Sequence, residues 1–374
     1  MKHLHVQKVV SKSDLRRFIQ FPDELYRSNP YRVPPLHVTE RTVLSREKNP
    51  SFEHCEAEYW LAIHNDKVVG RIAGIVNAKA NQIWKQKYAR FGWIDFIDDY
   101  EVSEKLLKTV EQWARSKDMS TIHGPLGFTV MDGEGMMVDG FDEIGTAAES
   151  YNAPYYPVHL EKHGYVEDAE WLQSLVYAPD KLPDRLVKFS ELVARRYLLR
   201  PLEVKSAKEL LPYAHKMFTT LNKAFEGLYG FAPLSDKQIA HYTQQYFSYV
   251  NPDYVCLVLD KNDDVVGCGI GIPSLSKALI KARGKLFPFG FIGCYRALRK
   301  NDTVEFCLIG VRPDYQKKGV HAIIYHEIMK ACLENNIDKA YVNAQLSDNT
   351  QALILWKAYD TRHYITRRCY IKNI

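Results

Sequence analysis

The chain has 374 residues, 46% of them hydrophobic and 25% charged, with a net charge of +5. That length suits two cores better than one; no apolar run approaches the ~20 residues of a membrane-spanning helix, and so mild a charge does not by itself call for nucleic acid. Seven cysteines (55, 256, 268, 294, 307, 332 and 369) are odd in number and never form Cys-x-x-Cys. This speaks against a disulfide framework or a zinc site and for a reducing cytoplasm. The opening residues, Met1-Lys2-His3-Leu4-His5-Val6, show no signal-peptide pattern.

In chain order, a strand-like run at 59–63 leads into a polar turn and a second run, Asn65-Asp66-Lys67-Val68-Val69-Gly70-Arg71-Ile72-Ala73-Gly74-Ile75. Residues 94–101 carry four acids and no glycine. A helix is predicted over 102–117, where Leu106, Leu107, Val110, Trp113 and Ala114 recur at helical spacing. The acid-rich stretch 132–142 does not follow calcium-loop spacing and reads as a loop near an acceptor cleft. On a short helix over 155–163, His159 and His163 lie at i and i+4. With no third metal ligand evident, they read as a solvated face. A strand at 171–177 closes the half. The stretch 179–201 reads as a linker holding an amphipathic segment, 184–189, that suits an interdomain helix.

The pattern then repeats. Asn262-Asp263-Asp264-Val265-Val266-Gly267-Cys268-Gly269-Ile270-Gly271-Ile272 matches the 65–75 segment at seven of eleven positions, at a constant offset of 197. A strand-like run at 254–259 precedes it, and a helix is expected over 320–335, a short helix over 350–359 and a strand over 364–371. An offset of 197 is too long for a solenoid and suits two tandem α/β domains, placed at 1–180 and 201–374 with a linker at 181–200. Between the third and fourth strands of the second half lies an insertion, 277–300. It carries seven basic residues, Lys277, Lys281, Arg283, Lys285, Arg296, Arg299 and Lys300, no acid, and Phe287, Phe289 and Phe291. That composition suits an anionic membrane surface or a lipid-like acceptor. The bland alternative is a helical hairpin packed between the halves; nucleic acid is not expected.

The run Val304-Glu305-Phe306-Cys307-Leu308-Ile309-Gly310-Val311 meets the tight loop Arg312-Pro313-Asp314-Tyr315-Gln316-Lys317-Lys318-Gly319. Its charge and glycine suit a phosphate held at a helix N-terminus. The order strand, Gln-x-x-Gly-x-x-Ala, helix resembles the cofactor loop of the GNAT (Gcn5-related N-acetyltransferase) superfamily. The resemblance implies two tandem acyl-CoA N-acyltransferase domains, each a mixed, mostly antiparallel sheet flanked by helices. It implies acyl-CoA as co-substrate, no metal, and cofactor contacts from Ile309, Val311, Gln316, Lys317, Lys318, Gly319, Val320, His321 and Asn349. Two departures stand out. His321 occupies a position the family usually gives to Gly or Ala, and Trp356 falls where the family often has the tyrosine that protonates the thiolate. The first half lacks the loop, and its acids would repel a pyrophosphate. Yet it keeps the family's closing phrase in Leu160-Glu161-Lys162-His163-Gly164-Tyr165, so it reads as a degenerate copy.

Acyl transfer to an amine needs the amine deprotonated, the carbonyl polarised and the thiolate protonated. The family's general base is often a glutamate on the strand that here carries Glu305. Alternation puts Glu305 on one face with Cys307 and Ile309; its structural alternative is a salt-bridged strand glutamate. Tyr359 and Tyr364 are the candidate acids, with core aromatics as the alternative, and Cys307 reads as a small core residue. The layout is similar to two-domain bacterial GNAT proteins, a group that includes ceramide synthases acylating a sphingoid amine. It also shares a tandem arrangement with aminoacyl-transferring peptidoglycan enzymes, without their helical arm. The expected activity is therefore acyl transfer from CoA to a small-molecule or lipid-like amine. The insertion would touch the inner face of a membrane peripherally. The rival reading, favoured by Trp356 and His321, is a non-enzymatic protein that binds CoA or a partner.

Overall fold

The computed structural model describes residues 4–247, 250–349, 353 and 359–374. Its strands are β1 His5–Lys8, β2 Cys55–His64, β3 Lys67–Asn77, β4 Tyr88–Phe96, β5 Thr121–Gly124, β6 Met136–Asp139 and β7 Val166–Tyr177, then β8 Arg200–Pro201, β9 Val255–Leu259, β10 Val265–Pro273, β11 Thr303–Val311, β12 Lys339–Leu346 and β13 Thr361–Asn373. The sequence repeat falls on two equivalent hairpins, β2–β3 and β9–β10. Asn65 and Asp66 both take positive φ (50° and 63°), as does Asp263 (61°), the conformation a tight hairpin turn demands and Asn and Asp tolerate.

The chain divides into two compact units. The first holds Met1–Leu172, Ser276–Gly293 and Tyr364–Ile374; the second holds Gln173–Leu275 and Cys294–His363. In the first unit the strand order is β1-β2-β3-β4-β5-β13, with β6 also on β13. In the second it is β12-β11-β10-β9-β8. The pairings correspond: β2–β3 and β3–β4 are antiparallel and β4–β5 parallel, as β9–β10 and β10–β11 are antiparallel and β11–β12 parallel. The C-terminal strand joins the first unit, with Ile371 opposite His123 of β5. Conversely, β7 from Gln173 onward is counted with the second unit. Nothing local marks that exchange, since which neighbour a strand takes is decided by tertiary packing.

Each unit buries one amphipathic helix against its sheet. In the first, Val102, Leu106, Leu107, Val110 and Ala114 of helix Tyr100–Ser116 join Ile72, Phe91 and Phe96. In the second, Ile323, Ile324 and Ile328 of helix His321–Glu334 join Val258, Val266 and Val304. Each such side chain contributes roughly 1.5–3 kcal/mol on burial. The linker segment is a longer helix than expected, Asp184–Tyr197, and its Val193 belongs to the second unit's core. The insertion forms two helices, Ser276–Ala282 and Gly290–Arg299. Among the described residues no helix is long and apolar enough to cross a membrane. The expected 350–359 helix, Trp356 included, lies almost wholly outside the described residues.

Candidate active site

The parallel pair β11–β12 opens partway along. Its ladder runs from Thr303 opposite Lys339 to Phe306 opposite Val342 and stops, while β11 continues to Val311 and β12 to Leu346. Beyond Phe306 the β12-facing edge of β11 is therefore free of ladder bonds among the described residues. Backbone donors and acceptors on such an edge must find other partners. Where the ladder opens, β11 also bulges. Ile270 of β10 faces Leu308 and the next residue, Gly271, faces Phe306, so Cys307 is the unmatched residue.

The bulge corrects the strict alternation expected from the sequence. Phe306 and Ile309, not Cys307 and Ile309, share a face, both packing with Tyr325 and Val342 toward helix His321–Glu334. Glu305 lies between Val304, in that helix's core, and Phe306, packed against it. It therefore points to the opposite sheet face. That face is covered by helix Ala214–Ala224, since a Cβ on Gly310 would meet Leu221 and Ala224.

At the far end of β11 the loop delivers an uncapped helix. Val320 at the N-cap offers no side-chain hydrogen bond. The helix and loop amides that find carbonyls are Gln316 and Lys318, then Ala322, Ile323 and Ile324. Among the described residues, the N–H groups of Lys317, Gly319, Val320 and His321 donate to no carbonyl. Four free donors at the positive end of a helix dipole make an anion seat. Gly319 adopts φ 82°, and a Cβ there would fall 2.8 Å from Phe189 of helix Asp184–Tyr197. The glycine is thus required by backbone conformation and by close helix packing together. Lys317 is exposed. Lys318 holds its Nζ 4.4 Å from the Tyr315 ring centroid, and Gln316 donates to the Val311 carbonyl at 3.2 Å. Burial lowers the pKa of His321, which leaves its ring neutral at physiological pH. Asn349 is half-buried beyond β12, its N–H bonded to the Leu346 carbonyl.

The equivalent place in the first unit is shut. The β4–β5 ladder ends at Arg90 opposite His123, but Leu126 N–H then bonds the Phe91 carbonyl at 2.9 Å and Arg90 bonds the Gly127 carbonyl at 2.9 Å. A Cβ on Gly92 would lie 2.6 Å from the Leu126 oxygen, so the chain itself fills the gap. The helix that follows is capped by Asp99, whose carboxylate accepts from the N–H groups of Glu101 and Val102. Its anion seat is occupied by the protein's own anion.

Glu305 is fully buried, and Ser274 Oγ donates to its Oε1 at 2.6 Å. Tyr359 packs with Tyr325 and Val342, and burial raises its pKa. Tyr364 is buried in the first unit, whereas Glu305 and Tyr359 belong to the second. Ser274, Asn343 and Gln345 lie outside every motif of the sequence. The polar alternation Tyr341-x-Asn343-x-Gln345 on β12 was the available signal, since every second residue of a strand shares a face.

Two expectations in the first unit change. His159 is buried, not solvated: Ser103 Oγ contacts both its Nδ1 (2.8 Å) and His163 Nε2 (3.0 Å), and Asp98 lies 3.0 Å from its other nitrogen. The acid-rich stretch is tied both within itself and by Arg367 of β13. Asp132 accepts from the N–H groups of Phe128 and Thr129, and Arg367 bonds the carbonyls of Gly135 and Ser150. Burial pushes Asp132 up to about 6. Burial, then the neighbouring Glu149, pushes Glu134 up to about 8. Acids whose pKa rises on folding stabilise fully below their unfolded values near 4, and that contribution is lost as pH climbs through 6 and 8. The melting temperature should fall between pH 5 and pH 8.5. Glu134→Gln should flatten that slope and raise the midpoint at pH 8.5, as calorimetry would show; an unchanged slope would mean Glu134 is ionised in the fold.

Comparison with known proteins agrees with this geometry. The Acetyltransferase (GNAT) family model matches residues 215–359. Protein YghO of Escherichia coli (strain K12) is 26% identical over 381 residues, spanning 99% of this chain and 95% of its own. A bacterial ceramide synthase of Caulobacter vibrioides is 23% identical over 386 residues, spanning 99% and 98%. Among solved structures, a tandem GNAT protein from the clavulanic acid biosynthesis pathway superposes with a TM-score of 0.57 at 11% identity, covering 99% of this chain and 98% of that one. Residues 215–359 thus match the GNAT acetyltransferase family, and the chain as a whole has the fold of a tandem GNAT protein.

Proposed function

We propose that the second unit binds acyl-CoA and passes its acyl group to the amine of a long-chain, lipid-like acceptor at an anionic membrane surface. The observation that carries the cofactor part is the open β11–β12 edge leading to an uncapped helix with four free N–H donors, set against the closed and capped equivalent in the first unit. Ile309 and Val311 would line the arm of the cofactor along the open edge, with Asn349 beyond β12. Gln316, Lys317, Lys318, Gly319, Val320 and His321 would surround its phosphates. The cofactor supplies an acyl thioester. Glu305, oriented by Ser274, accepts the proton that the acceptor nitrogen loses as it bonds to the acyl carbon. Tyr359, kept protonated by burial, gives its proton to the departing sulfur. Tyr359→Phe should cut turnover at least tenfold; full activity would take Tyr359 out of the proton-donor role.

The lipid part rests on the insertion and on the relative named a ceramide synthase. All seven basic residues of 277–300 are exposed. Phe287 and Phe289 are 79% and 75% exposed on the same stretch, with Phe291, Ile292 and Tyr295 also open. Aromatic rings beside exposed cations suit the headgroup layer of an anionic bilayer. Each cation near that surface contributes about 1 kcal/mol before salt screening. The protein should co-sediment with phosphatidylglycerol-containing vesicles at low salt and acylate a long-chain amine faster than a small polar one. Replacing Lys281, Arg283 and Lys285 with glutamate should release it while the far-UV spectrum persists. If the parent ignores such vesicles and acetylates a small polyamine efficiently, the insertion has only a structural role.

A further inference from the structure

The first unit gathers three metal-ligating side chains from three neighbouring strands. In the sheet, β13 runs between β5 and β7. His123 of β5 stands opposite Ile371 of β13, and Cys369, two residues before Ile371, shares the face of that pair. Asp168 reaches the same place from β7, with its Oδ2 3.8 Å from His123 Nδ1. Among the described residues, His123, Asp168 and Cys369 each offer one donor atom, and these atoms all lie within 4.8 Å of one another. His123 and Cys369 are buried, at 2% and 0% exposure, while Asp168 is exposed. The Tyr88 ring packs edge-on against the imidazole, with centroids 5.2 Å apart, and so limits its rotation.

Acyl transfer has no use for this cluster, which lies in the unit without the cofactor loop. A separation of 3.8 Å between Nδ1 and Oδ2 is too long for a hydrogen bond and suits two ligands of one ion. Tetrahedral zinc, with bonds of about 2.0–2.3 Å, holds its ligand atoms about 3.3–3.8 Å apart. A closure of about 1 Å would therefore complete the site. One imidazole nitrogen, one thiol sulfur and one carboxylate oxygen suit a borderline-soft divalent ion, whereas calcium and magnesium prefer oxygen alone. The charges also match. Arg90 already places positive charge near His123, so a bare cation would be repelled there. The Asp168 carboxylate and a Cys369 thiolate together offset both charges of the ion. We infer that His123, Asp168 and Cys369 hold one zinc ion, with water as the fourth ligand on the exposed Asp168 side. The ion clamps β13 between β5 and β7. Positions 123, 168 and 369 fit no short ligand motif, so the site is legible only once the strands are paired.

The test titrates the full chain, stripped with a chelator and kept under a phosphine reductant, with zinc chloride and with cobalt chloride. One equivalent of zinc should bind and raise the melting temperature, and added chelator should reverse the rise. Cobalt should give the near-ultraviolet charge-transfer band of a thiolate ligand. Cys369→Ser should abolish that band and weaken zinc binding by about a hundredfold or more. Asp168→Asn, a change at an exposed residue, should weaken zinc about tenfold or more while the thiolate band stays and the metal-free melting temperature is unmoved. Zinc affinity should fall as pH falls, because binding releases the Cys369 proton to solvent. A parent whose melting temperature ignores zinc, or which shows no thiolate band with cobalt, would overturn the inference. So would a band that survives Cys369→Ser, since the ion would then sit on another cysteine. If Cys369→Ser does not fold, Asp168→Asn decides: unchanged zinc affinity sinks the site, and weakened affinity with the band retained sustains it.

Discussion

His321→Asp is expected to weaken CoA binding about a hundredfold while leaving the fold as stable as before or slightly more so. The first turn of helix His321–Glu334 presents free N–H donors at Gly319, Val320 and His321, and the histidine is neutral because burial lowers its pKa. An aspartate there, in the first turn, sits well in the helix dipole, a gain of up to about 1 kcal/mol. The same negative charge at roughly 5 Å from a phosphate would cost about 3 kcal/mol at an effective dielectric near 20. The substitution would bring a carboxylate to the second unit's helix terminus, one position on from where Asp99 stands in the first. Opposite signs for the two readouts separate a binding defect from misfolding. A variant that binds CoA like the parent would remove this helix N-terminus from the cofactor site. Gly319 is a poorer probe, since any side chain there meets Phe189 and is strained by the positive φ.

Much of this arrangement can be read from the chain alone, and where reading stops has a physical cause. The two hairpins announce themselves because the Asn-Asp turn and the alternation around it are local signals. The cofactor loop is legible for a related reason: a strand, a glycine turn and an amphipathic helix are each set by neighbours within a few residues. The closed state of the first unit is half legible. Its four acids can be seen, and the capping by Asp99 of the next amides along is a local signal, but the plug formed by Leu126 against Phe91 depends on a chain path some thirty residues away. Face assignments on β11 fail outright, since the bulge at Cys307 is imposed by the match with β10, and a one-residue slip moves later side chains to the other face. Burial of His159 is hidden for the same reason, because Ser103 and Asp98 approach it from another element. The exchange of β7 and β13 between units leaves no local trace at all.

Glu305→Gln should slow turnover by about 10²–10⁴ while the affinity for CoA stays nearly unchanged. A general base acts on the acceptor nitrogen and not on the nucleotide, and losing one typically costs that much. The glutamine keeps the shape of the glutamate and can still accept from Ser274 Oγ, which now donates to Glu305 Oε1 at 2.6 Å, so the buried strand around it should survive. Ser274→Ala should cost less, about tenfold, since it removes the orientation of the carboxylate and leaves the carboxylate itself. Without the base, the variant depends on acceptor that has already lost its proton to solvent. Its rate should climb with pH toward the amine's own pKa, more steeply than the parent's. Added small carboxylates or imidazole should not reach so buried a position, so rescue from solution is not expected. The measurement is kcat against pH from 6 to 9 for parent and variant, with CoA binding by calorimetry at each end. Superimposable profiles would take Glu305 out of the mechanism and leave it as a hydrogen-bonded strand residue that ties β11 to Ser274.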